Sequence, residues 1–174
     1  MTETMKPIGA ILIIAAGLGI GFGGAAELRR RVRVLTDLIA SLVTVRAEIT
    51  VRMTPLPELL EALAQTAPHS VRGFYEHLGK SLQFLGERSF AELWLRAAER
   101  SEELGLKSDE LGELTALGAS LGRYDASEQA AAIDLCVSRL NASLELAREE
   151  ARTGGKLIMG LGAAGGLVLA VILI

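Results

Sequence analysis

Two long segments near the ends of this chain carry no charged residue, and charges are frequent between them. None occurs over 7–26 or over 157–174. A bilayer core of about 30 Å is crossed by about 20 helical residues at a rise of 1.5 Å each. Both segments meet that length, the second narrowly. Between them the pattern changes to apolar residues three and four apart, the mark of helices with one buried stripe. Val32, Leu35, Ile39, Leu42, Val45 and Ile49 form the first such stripe. The run 53–58, Met-Thr-Pro-Leu-Pro-Glu, breaks it. Thr54 is expected to cap a second helix with Pro55 at its first position, carrying Leu56, Leu59, Leu60 and Leu63 and ending near Pro68. Ser70 is expected to cap a third, through Phe74, Leu78 and Leu82 to Leu85, closed by Gly86. Ser89 and Glu92 have capping-box spacing for a fourth, with Leu93, Trp94, Ala97 and Ala98 inward, stopping at Gly105. Ser108, Leu111, Leu114, Leu117 and Leu121 mark a fifth, ending at Gly122.

The sixth helix is the most regular. Ile133, Val137, Leu140, Leu144, Ala147 and Ala151 are spaced 4, 3, 4, 3, 4, a seam that buries against neighbours. No proline follows Ala126, and only Gly154-Gly155 interrupts the pattern. An unbroken helix from there would hold about 49 residues and span roughly 73 Å. The predicted class is all-α: a cytoplasmic helical bundle of about six helices, flanked by N- and C-terminal transmembrane helices. The expected divisions are a membrane helix at 7–26, a bundle domain at 27–156 and a second membrane helix at 157–174.

Composition agrees with helices. Half the residues are hydrophobic but only 4% are aromatic, too few for a β-sandwich. The net charge of −3 and the lack of a basic tract interleaved with aromatics argue against nucleic acid. Cys136 is the single cysteine, so no internal disulfide forms, and its place on an apolar stripe makes it a small core residue.

Charge also orients the ends. Only Lys6 precedes the first apolar segment, whereas Arg29, Arg30, Arg31 and Arg33 follow it. That order reverses a signal peptide's and implies an uncleaved helix. Arg148, Arg152 and Lys156 precede the second segment. The Lys/Arg bias therefore puts the central domain in the cytoplasm, with a two-pass topology. The arginine cluster also suits anionic lipid headgroups.

Residues 19–24, Gly-Ile-Gly-Phe-Gly-Gly, formally match a nucleotide-binding pattern, but no strand precedes them and they lie inside an apolar run. Small-xxx-small packing explains them better, with Gly17/Gly21 in the first segment and Gly162/Gly166 in the second. No catalytic, cofactor or metal set is legible. His69 and His77 lack metal-ligand company, the pairs Glu102-Glu103 and Glu149-Glu150 diverge on a helix, and no Walker-type loop exists. The sequon at Asn141 has no meaning in a cytoplasmic domain. The loop 118–129 is chemically unusual: Gly122 ends one helix, Asp125 caps the next, and Gln129 lies one turn on. The same loop reads alternatively as a partner-docking corner.

Several of these stretches together resemble the stage III sporulation protein AB family. They are the first apolar helix followed by arginines, Leu35…Leu42…Glu48-Ile49, Thr54-Pro55-Leu56-Pro57-Glu58, Phe90…Trp94, Leu117-Gly118…Leu121-Gly122…Asp125…Gln129, and Gly155-Lys156-Leu157…Leu161-Gly162…Gly165-Gly166-Leu167. Val51-Arg52 and Ile158-Met159 depart from the glycine and the aromatic expected there. The resemblance implies a non-catalytic platform, similar to the inner-membrane platform proteins of type II secretion and type IV pilus machines, in the mother cell–forespore channel of endospore formation. It implies a position in the outer forespore membrane with the bundle on the mother-cell side. The implied partners are a hexameric secretion-type ATPase, stage III sporulation protein AA, and other membrane proteins of the complex, with self-association left open and no cofactor. Pro55, Pro57, Gly122, Arg123, Asp125 and Gln129 are the candidate partner-binding residues. A membrane-anchored receptor or signalling adaptor without a motor partner is the alternative.

Overall fold

The structure is a computed structural model. It describes the backbone of residues 5–121, 123 and 125–173, and the side chains of 23–101, 103–121, 123, 125–154 and 164. Gly122 and Tyr124 lie outside the described residues. So do the side-chain surroundings of Gly17, Gly21, Gly162 and Gly166 and of nearly all of 7–26 and 157–174. Among the described residues no helix is long and apolar enough to cross a membrane; most side chains of the two expected membrane helices lie outside the described residues.

Among the described residues there are six α-helices and no named strand. They are α1 (Met5–Ala47), α2 (Leu56–Thr66), α3 (His69–Ser81), α4 (Phe90–Arg100), α5 (Ser108–Ser120) and α6 (Ala126–Leu173). A π-helical turn, Glu48–Arg52, finishes α1. The 48-residue α6 runs unbroken through Gly154-Gly155. The chain divides into two compact units, Arg33–Glu145 and, separately, Met1–Val32 with Leu146–Ile174. In the second of these, Arg30 and Glu27 pair at 2.8 Å. There α1 and α6 also approach closely, since a Cβ on Gly154 would come within 3.3 Å of Leu28 Cδ1.

The Arg33–Glu145 unit is an up-and-down bundle, and its side-chain bonds fix the order. Ser70 and Tyr75 of α3 bond to Asp37 and Ser41 of α1, so α1 and α3 run in the same direction. His77 of α3 meets Ser101, just past the end of α4, so α4 runs back along α3. Glu113 of α5 pairs with Arg139 of α6 at 2.6 Å, and Arg46 of α1 with Asp134 of α6 at 2.6 Å. The α1–α2, α3–α4 and α5–α6 connections therefore share one end of the bundle.

Its core is the set of stripes that the spacing foretells, with corrections. On α1 and its closing π turn the buried positions of this unit include Val34, Leu35, Leu38, Leu42, Val45 and Ile49. Leu38 and Val34 replace Ile39 and Val32 because 35, 38, 42, 45 and 49 keep a 3-4-3-4 seam. On α6, Ala130, Ile133, Cys136, Leu140 and Leu144 are buried, while Val137 is only partly covered; in the other unit Ala147 is buried and Ala151 partly covered. Fully burying each Val, Leu or Ile side chain among them is worth about 1.5–3 kcal/mol.

The caps divide into kept and lost. Ser89 Oγ accepts from Glu92 N at 3.3 Å, as its spacing predicts. The reciprocal arm is missing because the Glu92 carboxylate faces Arg96 at 3.0 Å instead. Thr54 and Ser70 do not cap. Pro55 and Pro68 occupy those N-cap positions. Thr54 donates to Glu48 Oε2 at 2.9 Å, and Ser70 donates to Asp37. A hydroxyl next to a proline-fixed helix start is free to bond elsewhere, and a carboxylate acceptor makes a stronger bond than a backbone cap. The α5 start is capped through Glu110, whose Oε2 accepts from Lys107 N at 2.7 Å.

Candidate docking face at the corner end

The sequence marks two corners, and the fold brings them to one end. Arg46 and Thr50, at the close of α1, line a groove of about 410 Å³ with Ala126, Ser127, Ala130 and Asp134 at the start of α6. The Arg46–Asp134 pair spans it.

On the α5–α6 side, Asp125 Oδ1 accepts from Glu128 N at 2.9 Å, and its carbonyl accepts from Gln129 N at 2.9 Å. The carboxylate satisfies an otherwise unbonded N–H at the positive end of α6. Asp125 is thus a cap, and it is also exposed. Arg123 is exposed in the turn before it. Gly122 cannot be placed with them, being outside the described residues.

On the α1–α2 side, Glu48 accepts from both Arg52 Nη1 at 2.8 Å and Thr54 Oγ1 at 2.9 Å. These bonds tie the π turn into a closed corner. Met53 then takes a left-handed conformation, φ 52°, uncommon for a residue with a side chain. Val51 and Met53 are thrown outward, 79% and 80% exposed. Pro55 is exposed beside them, while Pro57, in the first turn of α2, lines a different groove with Glu61, Lys80 and Leu85. The described marked residues therefore cluster toward one end of the bundle rather than in one pocket.

Sequence reasoning missed the apolar tip of that end. Val51 and Met53 continue an apolar-rich helix, and nothing in their spacing separates exposed from buried. The signal available was the proline pair just beyond, which forces the chain to turn there. It also missed the α3–α4 corner, where Phe84 and Leu85 are 42% and 48% exposed beside Lys80 and Arg88. Among the described residues no group of three or more His, Cys, Asp or Glu is placed to hold a metal ion. Outside the core, the hydrogen bond from Arg30 lowers the pKa of the exposed Glu27 carboxyl; the other two perturbed groups are buried. Burial pushes the Cys136 thiol up to about 12 and raises Tyr75 well above its ordinary value. Both groups stay neutral packing elements. The arrangement offers a rigid end with exposed apolar and charged side chains, which is what a protein contact needs.

Comparison with known proteins points one way. The family model described as stage III sporulation protein AB matches residues 6–174. A relative, Stage III sporulation protein AB of Bacillus subtilis (strain 168), is 30% identical over 176 residues, which is 97% of this chain and 99% of the relative. A solved structure of Stage III sporulation protein AB superposes with a TM-score of 0.63 at 27% identity, covering 70% of this chain and 96% of that one.

Proposed function

Because the chain belongs to the stage III sporulation protein AB family, we propose that it is a non-catalytic membrane platform of the mother cell–forespore channel complex in endospore formation. Segments 7–26 and 157–174 are its two membrane helices, and the bundle between them lies in the mother-cell cytoplasm, at the outer forespore membrane. The bundle docks a hexameric secretion-type ATPase, stage III sporulation protein AA, to the membrane assembly.

The observation that carries this reading is the convergence of corners. The α1–α2 and α5–α6 connections share one end of the Arg33–Glu145 unit, and that end exposes Val51, Met53, Pro55, Arg123 and Asp125. A partner meeting such an end gains apolar contact from a tip that the fold already holds rigid, so little ordering is lost on binding. The apolar length of both chain ends and the arginines inside them support the topology.

Two measurements test it. Single cysteines introduced by Ser127→Cys or Arg123→Cys in a Cys136→Ala background report topology. They are expected to escape a membrane-impermeant thiol reagent until the cell is opened; labelling in intact cells contradicts the cytoplasmic placement. Affinity capture of the full chain from membranes is expected to retain the ATPase. Capture of the intact membrane complex without it contradicts docking.

A further inference from the structure

We propose that the pocket under the α3–α4 corner is a second binding site, which takes a short acidic segment of a partner protein by seating one apolar side chain between cationic ones. This does not depend on which protein meets the α1–α2 and α5–α6 corners.

The pocket has a volume of about 260 Å³. Leu93 and Ala97, both buried, form its floor, and Lys80, Arg88, Arg96 and Arg100 line it. Phe84 flanks it, partly exposed, with the Arg88 guanidinium 5.9 Å from its ring centre. Positive charge is concentrated here against the trend of the chain. The protein carries a net charge of −3, and elsewhere in this unit Arg46, Arg52 and Arg139 are matched by Asp134, Glu48 and Glu113. In this pocket Glu92 is shared between Arg88 at 3.8 Å and Arg96 at 3.0 Å. Lys80 and Arg100 have no ion-pair partner among the described residues. Like charges gathered around one recess repel, and a carboxylate-bearing ligand relieves that repulsion.

Size and form select the ligand class. Pockets that enclose small molecules run to about 300–1,000 Å³ and cover most of the ligand. This one is smaller, and its arginines are about half exposed. It suits a single side chain of a larger partner. The surface also continues past it: Lys80 and Gln83 line both this pocket and the neighbouring groove that holds Pro57, Glu61 and Leu85. An extended segment of several residues can therefore lie along it, with apolar contact at Phe84 and Leu85 and carboxylates toward Lys80 and Arg100.

The test uses the full chain in detergent micelles and fluorescently labelled, leucine-centred peptides carrying none, a pair or several glutamates. Affinity is expected to rise with glutamate number, to fall with added salt, and to drop about ten-fold or more in the Lys80→Glu/Arg100→Glu variant. Both positions are on the rim, and unchanged helicity and melting are expected to accompany the loss. Phe84→Ala is expected to weaken binding of every glutamate-bearing peptide. Absence of binding by all peptides, affinity independent of glutamate number, or binding that survives the charge reversal overturns the proposal. Full displacement of the peptide by equimolar pyrophosphate overturns it too, since the pocket would then be a small-anion site. The double reversal at Lys80 and Arg100 leaves Val51, Met53 and Asp125 intact, so failure here and failure of ATPase docking are read separately.

Discussion

Trp94 occupies the space that a side chain at position 118 would need. A Cβ placed on Gly118 would stand 2.2 Å from Trp94 Cδ1 and 2.4 Å from Cγ. One turn before Gly118 on α5, the Leu114 carbonyl accepts the indole N–H at 2.7 Å. Phe74 meets the same indole edge-on, with ring centres 5.0 Å apart. The glycine lets α4 and α5 close on each other, and the hydrogen bond satisfies the buried donor that the closure desolvates. Gly118→Ala is therefore expected to destabilise the bundle by about 3 kcal/mol, the upper end of usual overpacking costs. Trp94 is the single tryptophan, so its emission, shifted red with an early melting transition, checks this directly.

Tyr75 and Ser41 make the one buried hydroxyl pair described between α1 and α3, at 2.7 Å. Ser41 donates onward to the Leu38 carbonyl at 2.7 Å, so the Tyr75 O–H donates to Ser41. Tyr75→Phe removes a donor and leaves Ser41 bonded, at an expected cost of about 1 kcal/mol. Ser41→Ala strands the buried phenol and is expected to cost more, about 1–3 kcal/mol. Urea midpoints of the two variants give the order.

Asp125 is where a cap and a contact are separable. Asp125→Ala is expected to lower stability by about 0.5–2 kcal/mol, and Asp125→Asn, which keeps the acceptor, by much less. If Asp125 also contacts the partner through its charge, Asp125→Asn weakens capture of the ATPase while melting stays near wild type. Melting and capture on the same pair of variants divide the two roles.

Alkali tests the buried titrating groups. Burial holds the Cys136 thiol neutral up to about 12, against an ordinary value of 9.0. In the unfolded chain the thiol ionises first. The folded state is thus favoured fully below pH 9, and that share is lost as pH rises from about 9 toward 12. Tyr75, raised by the same cause, adds its own loss from about pH 10 upward. Cys136→Ala is expected to flatten the decline between about pH 9 and 10 while leaving the Tyr75 part. Native Cys136 is also expected to react slowly with thiol reagents at neutral pH, and quickly in urea.

The fold was legible wherever one helix's own residues decide its form. Ser89 caps α4, and Leu93, Trp94, Ala97 and Ala98 bury, as their spacing says. Long α6 follows from the absence of proline. What spacing could not show is set by residues outside each helix's own stripe. Thr54 and Ser70 look like caps until Glu48 and Asp37 are found beside them. Gly118 reads as a weak helix former until Trp94 is packed on it. The corner end depends on α1 and α6 meeting tip to start through Arg46 and Asp134, a pairing of residues far apart in sequence. The π turn that exposes Val51 and Met53 has no local signature beyond the prolines that follow.

The most direct test changes the apolar tip and nothing inside the bundle. Val51→Asp and Met53→Asp alter side chains that are about four-fifths exposed, so melting is expected to stay within about 0.5 kcal/mol of wild type. The affinity of the full membrane-embedded chain for the purified ATPase is the quantity to measure. The account predicts a loss of about ten-fold or more in the double variant, since charges set into the apolar centre of an interface are left unpaired. Unchanged affinity in a stably folded double variant would contradict the claim that this end of the bundle is where the partner docks.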